Sequence, residues 1–158
     1  MESGLSWYFA YGSNMSAERL FEERLRPEGV AMGERVAGRL DGWRLAFNKK
    51  ARTPPGAGAG NIVMVPGAIV HGTLNLLPSK GFEVLDKYEG VVGGHYERRL
   101  VRVVRGDDGA TVEAITYVAM LVAEGLRPTR DYLGHLLAGR DLLPADYCAW
   151  LGATATID

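Results

Sequence analysis

The middle of the chain consists of β-prone segments that follow one another with only short turns between them. The clearest pair is residues 96–104 and 111–120, which flank a Gly-Asp-Asp-Gly turn and therefore predict a β-hairpin. Asp41-Gly42 indicates a second hairpin, and Pro66-Gly67 interrupts a further run of strand. Strands so closely spaced pair as neighbours, which predicts a strongly curved sheet or a small barrel. The predicted strands are residues 7–10, 34–40, 43–47, 62–65, 68–76, 96–104 and 111–120.

Helical segments are few and lie on either side of the strands or between them. Ser16 can cap the first, Gly90 follows the second, and a proline stands at the start of each of the last two. Residues 53–60, TPPGAGAG, predict a flexible loop. The fold class is therefore α+β, a small curved mixed β-sheet or β-barrel with a few flanking short helices, in one domain over residues 1–158. The predicted helices are residues 16–25, 78–88, 128–138 and 144–151.

Composition and charge narrow the class of protein. Of the 158 residues, 47% are hydrophobic and 23% are charged, and the formal net charge of −1 lacks the basic excess of a nucleic-acid-binding protein. No apolar run approaches the roughly 20 residues of a membrane-spanning helix, and the N-terminal MESGLSW lacks the basic and apolar regions of a signal peptide. Cys148 is the single cysteine, which fits a reducing compartment. We expect a cytoplasmic protein with no nucleic-acid or membrane partner; a homodimer is compatible with the sequence, although no feature requires it.

Several familiar kinds of site are disfavoured by the sequence. The three histidines, His71, His95 and His135, lie far apart and lack the spacing of metal ligands, so no metal site is expected. The GAGAG stretch is not followed by the Lys-Ser or Lys-Thr of a phosphate-binding loop. Ser13 does not lie in the Gly-x-Ser-x-Gly sequence of a nucleophilic serine, and no base can be assigned to it.

Two segments remain, and the first is WYFAYGSN, residues 7–14, in which an apolar strand runs directly into Gly12, Ser13 and Asn14. Gly and Asn tolerate unusual backbone angles, so a turn of this composition can bring several backbone N–H groups together. Such a group of donors can bind an anion or stabilise an oxyanion, and the dipole of a helix that begins shortly afterwards adds to the effect. From the residues alone, this interpretation and a plain connection between strand and helix are equally favoured.

The second segment is the end of the helix predicted over residues 78–88. Phe82, Leu85 and Glu89 are spaced i, i+3 and i+7, on one face of the helix and its exit turn. Because Phe82 and Leu85 are apolar, Glu89 is expected on the buried side. Burial there would raise the pKa of its carboxyl group above the ordinary value, as a general base working near neutrality requires. The alternative is a glutamate at a frayed helix end that reaches back to solvent.

These residues resemble the γ-glutamylcyclotransferase family. Residues 8–15, YFAYGSNM, look like its signature sequence, and residues 88–96, YEGVVGGHY, look like the motif around its catalytic glutamate. Residues 128–132, PTRDY, resemble a proline-led helix with a substrate-facing tyrosine, and Leu143-Pro144 with Tyr147 resembles the closing helix. YGSN alone is short, whereas YGSN followed about 75 residues later by EGVxxGxY is specific. Residues 48–61 match least and are a region that could shape substrate choice.

The resemblance implies a small β-barrel and a reaction that needs no cofactor and no metal. The α-amine of a γ-glutamyl substrate attacks its own γ-carbonyl group, and 5-oxoproline leaves together with a free amine or amino acid. Glu89 would be the catalytic base and acid. The Gly12 and Ser13 amides would hold either the γ-carbonyl oxygen or the α-carboxylate, and the sequence does not separate these roles. The substrate-binding residues implied by the matched motifs are Tyr8, Phe9, Ala10, Tyr11, Gly12, Ser13, Asn14, Tyr96 and Tyr132.

Two alternatives stay open from the sequence. An enzyme of the same fold could remove a γ-glutamyl cap from a biosynthetic metabolite, since Glu89 and the Gly-Ser-Asn turn would serve that reaction equally well. The other alternative is a non-catalytic module that binds a small molecule in the same pocket, which the presence of Glu89 disfavours. The leaving amine is not readable from the residues.

Overall fold

The computed structural model describes residues 4–158; the first three residues, on which part of the signal-peptide expectation rests, lie outside the described part. The strands are β1 (Leu5–Ala10), β2 (Arg35–Lys50), β3 (Gly58–Pro78), β4 (Tyr96–Arg105) and β5 (Thr111–Ala119). They close into one barrel in the order β1-β3-β2-β4-β5. Neighbours run antiparallel except β1 and β5, which are parallel. The predicted α+β class and the predicted barrel are both confirmed.

The long strands β2 and β3 correct two of the predicted turns. Asp41-Gly42 is not a hairpin turn but an irregularity inside β2, because the pairing passes from Asp41 with Ile69 to Trp43 with Met64. Gly67 lies in the opposite bulge, and both glycines have a positive φ, +85° and +84°. A glycine with left-handed backbone angles is found in β-bulges as well as in hairpin turns, so the sequence could not distinguish a bulge from a turn. The chain instead reverses over residues 51–57, and residues 58–60, predicted as loop, begin β3.

The predicted hairpin between β4 and β5 is confirmed, with Val104 paired to Thr111 across the turn. Three helices also agree with the sequence: α1 (Ser79–Glu89), α2 (Arg130–Leu137) and α3 (Ala145–Gly152). Gly90 ends α1 with φ +67°, and the Thr129 side chain caps α2 by accepting a hydrogen bond from the Tyr132 amide. None of the helices in residues 4–158 is long and apolar enough to cross a membrane.

The first helix, Glu18–Leu25, has a different geometry from the α-helix that its sequence predicts. It is a π-helix, and the Arg26 amide at its end donates to the Phe21 carbonyl, five residues earlier. Ser16 does lie at its start, where its Oγ accepts a hydrogen bond of 3.2 Å from the Arg19 amide. A 3₁₀ turn, Arg26–Glu28, and Gly29 with φ +82° complete the segment. The i+5 repeat brings together side chains that an α-helix would separate.

The core is built around Phe9, Leu74 and Val103, which are fully buried. Two glycines allow the surrounding strands to approach one another and the Phe9 ring. A Cβ atom at Gly38 would lie 2.9 Å from Val103 Cγ1, and one at Gly72 would lie 2.3 Å from the Ala10 carbonyl oxygen. The second position excludes any side chain, because the atom in the way belongs to the backbone.

Candidate active site

A cavity of about 180 Å³ opens at the end of the barrel where β1 ends and where β3 and β4 begin. Four elements contribute to its wall besides the strands: the turn after β1, the π-helix, the end of α1 and the start of α2. Of the residues predicted from sequence, this cavity is lined by Tyr8, Tyr11, Gly12, Ser13, Asn14, Glu89, Tyr96 and Tyr132. The predicted meeting of the Gly-Ser-Asn turn with Glu89 is therefore present in the fold.

The turn after β1 lines this cavity with Gly12, Ser13 and Asn14. A 3₁₀ turn, Ser13–Met15, follows the strand, and the Met15 amide donates to the Gly12 carbonyl at 3.0 Å. Within residues 4–158, the Gly12 and Ser13 amides themselves donate to no acceptor. The space beside Gly12 is narrow, since a Cβ atom there would lie 3.1 Å from the Tyr132 hydroxyl oxygen. The two amides are thus available to a ligand that approaches closely.

Glu89 is the last residue of α1 and lies on the face of that helix that carries the buried Phe82 and Leu85. Its side chain is 18% exposed. Burial raises the pKa of the Glu89 carboxyl group to about 7, against the opposing effect of the positive charges of Arg24, Arg19 and Lys49. The direction agrees with the expectation from the apolar spacing. A carboxyl group with this pKa can both take and give a proton near neutral pH.

Two arginines of the π-helix line the cavity and were not foreseen from the sequence. Arg24 Nη1 lies 3.8 Å from Glu89 Oε2 and donates to Asn14 Oδ1 at 2.9 Å. Arg19 Nη1 is 3.1 Å from His135 Nε2, and its Nε is buried without a hydrogen-bond partner among the residues that the structure describes. In an α-helix these positions, five apart, would face different directions. The π-helical repeat places both on the cavity wall.

Tyrosines form much of the remaining wall. The Tyr132 hydroxyl accepts a hydrogen bond of 2.8 Å from the Gly60 amide, and the Tyr96 hydroxyl donates to the Gly60 carbonyl at 2.7 Å. Tyr8 accepts from Asn14 Nδ2 at 3.0 Å, and Tyr11 donates to the Tyr117 carbonyl. Burial raises the pKa of Tyr132 to about 12, and it also raises the pKa values of Tyr8, Tyr11 and Tyr96 above the ordinary value of a tyrosine. All of these hydroxyl groups therefore stay protonated and can act as donors.

Two of the predicted substrate-binding residues do not line the cavity. Phe9 is fully buried in the core, because successive side chains of a strand point to opposite faces and Tyr8 already faces the cavity. Ala10 is also buried and lies outside the lining. The signature YFAYGSN thus combines residues of the site with residues of the core. The cavity residues that sequence reasoning missed are Arg19, Arg24, Ala59, Gly60, Tyr88, Thr116 and Tyr117.

Comparison with known proteins supplies the family. The sequence profile of the AIG2-like family matches residues 69–151, a segment that contains Glu89, Tyr96 and Tyr132. The chain belongs to the AIG2-like family. No curated protein matches this AIG2-like chain by sequence.

Solved structures show that the AIG2-like chain has the γ-glutamylcyclotransferase-like fold. A γ-glutamyl cyclotransferase superposes with a TM-score of 0.83 at 26% identity, over 98% of this chain and 90% of the other. An uncharacterized human protein gives a TM-score of 0.84 at 27% identity, over 99% and 91% of the two chains. A yeast γ-glutamyl cyclotransferase specific to glutathione shares the fold alone, with a TM-score of 0.61 at 10% identity over 94% of each chain. The family and fold implied by the sequence motifs are confirmed.

Proposed function

We propose that the protein is a γ-glutamylcyclotransferase that converts a γ-glutamyl amide to 5-oxoproline and a free amine or amino acid. The observation that carries the proposal is that the Glu89 carboxyl group, with a pKa of about 7, lines the same cavity as the unpaired amides of Gly12 and Ser13. A γ-glutamyl cyclotransferase among the similar structures supports the same class of reaction.

Glu89 acts as both base and acid in this proposal. The substrate supplies its own nucleophile, the α-amine, which has to lose a proton before it can attack the γ-carbonyl carbon. Glu89 accepts that proton, and it gives a proton to the leaving nitrogen as the bond from the γ-carbon to that nitrogen breaks. Because the transfers are sequential, one carboxyl group serves both. A well-placed acid–base group typically contributes about 10²- to 10⁴-fold to the rate.

Arg24 is placed to hold the α-carboxylate of the substrate. The α-amine and the α-carboxylate are bonded to one carbon atom, so an amine that lies against Glu89 brings the carboxylate within a few ångströms of it. Arg24 Nη1, 3.8 Å from Glu89 Oε2, occupies that region. The unpartnered Nε of Arg19 on the same wall offers a further donor. Hydrogen bonds between a guanidinium group and a carboxylate are among the stronger ones in proteins.

With the α-carboxylate at the arginines, the Gly12 and Ser13 amides are left for the γ-carbonyl oxygen. Attack of the amine turns that oxygen into an oxyanion, and a fixed donor aimed at it is typically worth ~3 kcal/mol. The Tyr132 hydroxyl lies beside Gly12 and adds a protonated donor at the same point. Both anchors together hold the substrate in its folded-back shape, and alignment of an intramolecular attack can supply about 7–11 kcal/mol of the barrier.

The proposal is tested by measuring 5-oxoproline release from a panel of γ-glutamyl amino acids and γ-glutamyl amines. The native protein is expected to turn over at least one member of the panel. Glu89→Gln keeps the size and polarity of the side chain but removes the base, so it is expected to lower kcat by at least ~10²-fold. Substrate binding to this variant should persist.

Glu83→Gln is the matched control, because Glu83 is an exposed carboxylate on the same helix. Native turnover is expected in Glu83→Gln. Absence of 5-oxoproline with every γ-glutamyl compound, or equal rates in Glu89→Gln and the native protein, would refute the proposal. A native protein that binds γ-glutamyl compounds without turnover would favour the non-catalytic alternative.

A further inference from the structure

A second, larger cavity of about 810 Å³ adjoins the catalytic cavity, and we call it the outer groove. Tyr88, Glu89 and Tyr96 line both spaces, so the proposed base lies at the junction between them. Under the proposed function, a γ-glutamyl group held by Arg24 and the Gly12 amide in the inner cavity would place its scissile bond beside Glu89, at this junction. The leaving group would then extend into the outer groove.

The outer groove is lined by an excess of positive charge. Among the described residues that line it, four are basic, Lys49, Lys50, Arg52 and Lys87, and one is acidic, Glu89. None of the four forms an ion pair within residues 4–158. Some arginines elsewhere do form ion pairs, as Arg98 does with Asp86. The groove therefore carries a net positive charge at one place.

Lys49 is the most firmly held of these cations. The residue is 7% exposed, and its Nζ donates to the Lys50 carbonyl at 2.8 Å. The same ammonium group lies 5.7 Å from the centre of the Tyr96 ring, within reach of a cation–π interaction. A buried ammonium is costly unless its charge is balanced by a partner. Lys50, Arg52 and Lys87 are exposed around it and can move to meet a ligand.

We propose that the outer groove is a subsite for a polyanionic leaving group, an amine that carries at least two negative charges from carboxylate or phosphate groups. This inference rests on the proposed function and specifies its substrate class. A neutral amine would bring no negative charge to these four cations, and a simple amino acid would bring a single carboxylate. An acidic amino acid, an acidic peptide or a phosphorylated amine matches the charge, and the groove has the volume for it.

The charge requirement is tested with leaving groups that differ in charge, of which glutamate and glutamine are nearly equal in size. γ-Glutamyl-glutamate and γ-glutamyl-glutamine differ by one negative charge, γ-glutamyl-alaninamide carries none on its leaving group, and γ-glutamyl-O-phosphoserine distinguishes phosphate from carboxylate. We expect kcat/KM for γ-glutamyl-glutamate to exceed that for γ-glutamyl-glutamine roughly tenfold at low salt, since two exposed ion pairs of ordinary strength account for that factor. The ratio should fall as the salt concentration rises, because exposed charges are screened.

The double variant Lys50→Gln/Arg52→Gln is expected to bring the ratio between these two substrates close to one. Lys80→Gln removes one positive charge from an exposed lysine at the start of α1, outside the groove, and as a control it should leave the ratio at its native value. Equal kcat/KM for the glutamate and glutamine substrates in the native protein would overturn the inference, as would a ratio that neither salt nor the double variant changes.

A binding measurement separates failure of this inference from failure of the proposed function. In Glu89→Gln, which lacks the base, isothermal titration should give a dissociation constant for γ-glutamyl-glutamate roughly tenfold below that for γ-glutamyl-glutamine. If 5-oxoproline release is seen but binding shows no charge preference, the subsite is wrong and the reaction stands. If no compound is turned over and none binds, the proposed function and the subsite fall together.

Discussion

Nη1 of Arg24 lies 3.8 Å from Oε2 of Glu89, a separation longer than a hydrogen bond. The positive charge of Arg24 therefore acts on the carboxylate without holding it in a tight pair. The Arg24 side chain is fixed from elsewhere, by Asn14 Oδ1 at 2.9 Å and by the ring of Tyr88 at 4.6 Å from its centre. Glu89 is left free to exchange a proton, and Arg24 keeps donors available for a substrate carboxylate.

Arg24→Gln is expected to change both the affinity and the pH dependence of the reaction. The charge of Arg24 lowers the pKa of Glu89, so its removal raises that pKa above the native value of about 7. Because the reaction needs ionised Glu89, the acidic limb of the kcat/KM profile moves to higher pH. At constant pH, KM rises at least ~10-fold, because a hydrogen bond to a charged group is worth about 1.5–3 kcal/mol.

The control for this change is Arg26→Gln, an exposed arginine two residues further along, in the following 3₁₀ turn, that pairs with Glu22. It removes the same charge without facing the cavity, so its profile and KM should match those of the native protein. An acidic limb that stays in place in Arg24→Gln would show that this arginine does not act on the base.

Glu89 also makes stability depend on pH in a direction unusual for a carboxyl group. Its folded-state pKa of about 7 lies above the ordinary value of 4.5, so the folded protein binds this proton more tightly than the unfolded chain does. The stabilising effect of the proton is complete below about pH 4.5 and is lost as pH rises through 7. Each unit of difference between the folded and the ordinary pKa is worth about 1.36 kcal/mol, so the total effect on the free energy of unfolding is of order 3 kcal/mol.

Glu89→Gln removes that titration, so the variant is expected to gain stability relative to the native protein as pH rises from 4 to 8. The measurement is the free energy of unfolding by urea at both pH values, with Glu83→Gln as the exposed control. A constant difference between Glu89→Gln and the native protein across this range would mean that the folded-state pKa is not raised.

The sequence predicted that Glu89 and the Gly12–Ser13 turn belong to one site, but it did not predict Arg19 and Arg24 there. Glu89 could be found because Phe82 and Leu85 mark the buried face of an ordinary α-helix. The two arginines are five residues apart, and in an α-helix their side chains would lie on different faces. The π-helix that unites them has no simple signature in the residues, so tertiary structure was needed to reveal them.

The sequence predicted a small barrel, but it did not predict the lengths of β2 and β3. Gly42 and Gly67 have the positive φ that a hairpin turn would also use, and the preference of glycine for that region carries no information about which one forms. Bulges form at these glycines because β2 and β3 pair with each other over most of their length. The same extension places Gly60 in β3 beside Tyr132 and Tyr96, and so builds part of the cavity wall.

Gly12→Val tests whether the turn after β1 is a binding element or a connector. A Cβ atom at this position already meets the Tyr132 hydroxyl at 3.1 Å, and the valine methyl groups would enter the cavity beside the two free amides. We expect 5-oxoproline release to fall at least ~10²-fold, consistent with the loss of an oxyanion donor. Thermal unfolding should still be cooperative.

Tyr132→Phe in the Gly12→Val background tests whether crowding against the Tyr132 hydroxyl destabilises the valine variant. Removing the hydroxyl relieves the contact at 3.1 Å but leaves the Gly60 amide without its acceptor, so thermal stability should recover only in part. Activity should not recover, because the valine still covers the amides and the Tyr132 donor is lost. Substantial turnover in Gly12→Val, with or without the second change, would make the turn a connector.

Closure of the barrel depends on Gly72, where a Cβ atom would lie 2.3 Å from the Ala10 carbonyl oxygen and 2.9 Å from the Phe9 ring. The backbone of β1 cannot move aside without disturbing the turn that carries Gly12, so Gly72→Ala is expected to destabilise the fold by about 1–3 kcal/mol, the usual range for an overpacked core.

Gly134→Ala is the matched control: nothing lies within 4 Å of its added methyl group, and Gly134 sits inside α2, where alanine favours the helix by about 0.5–1 kcal/mol. Urea unfolding should therefore shift in opposite directions for the two variants. A Gly72→Ala protein as stable as the native one would show that β1 and β3 do not need this close approach.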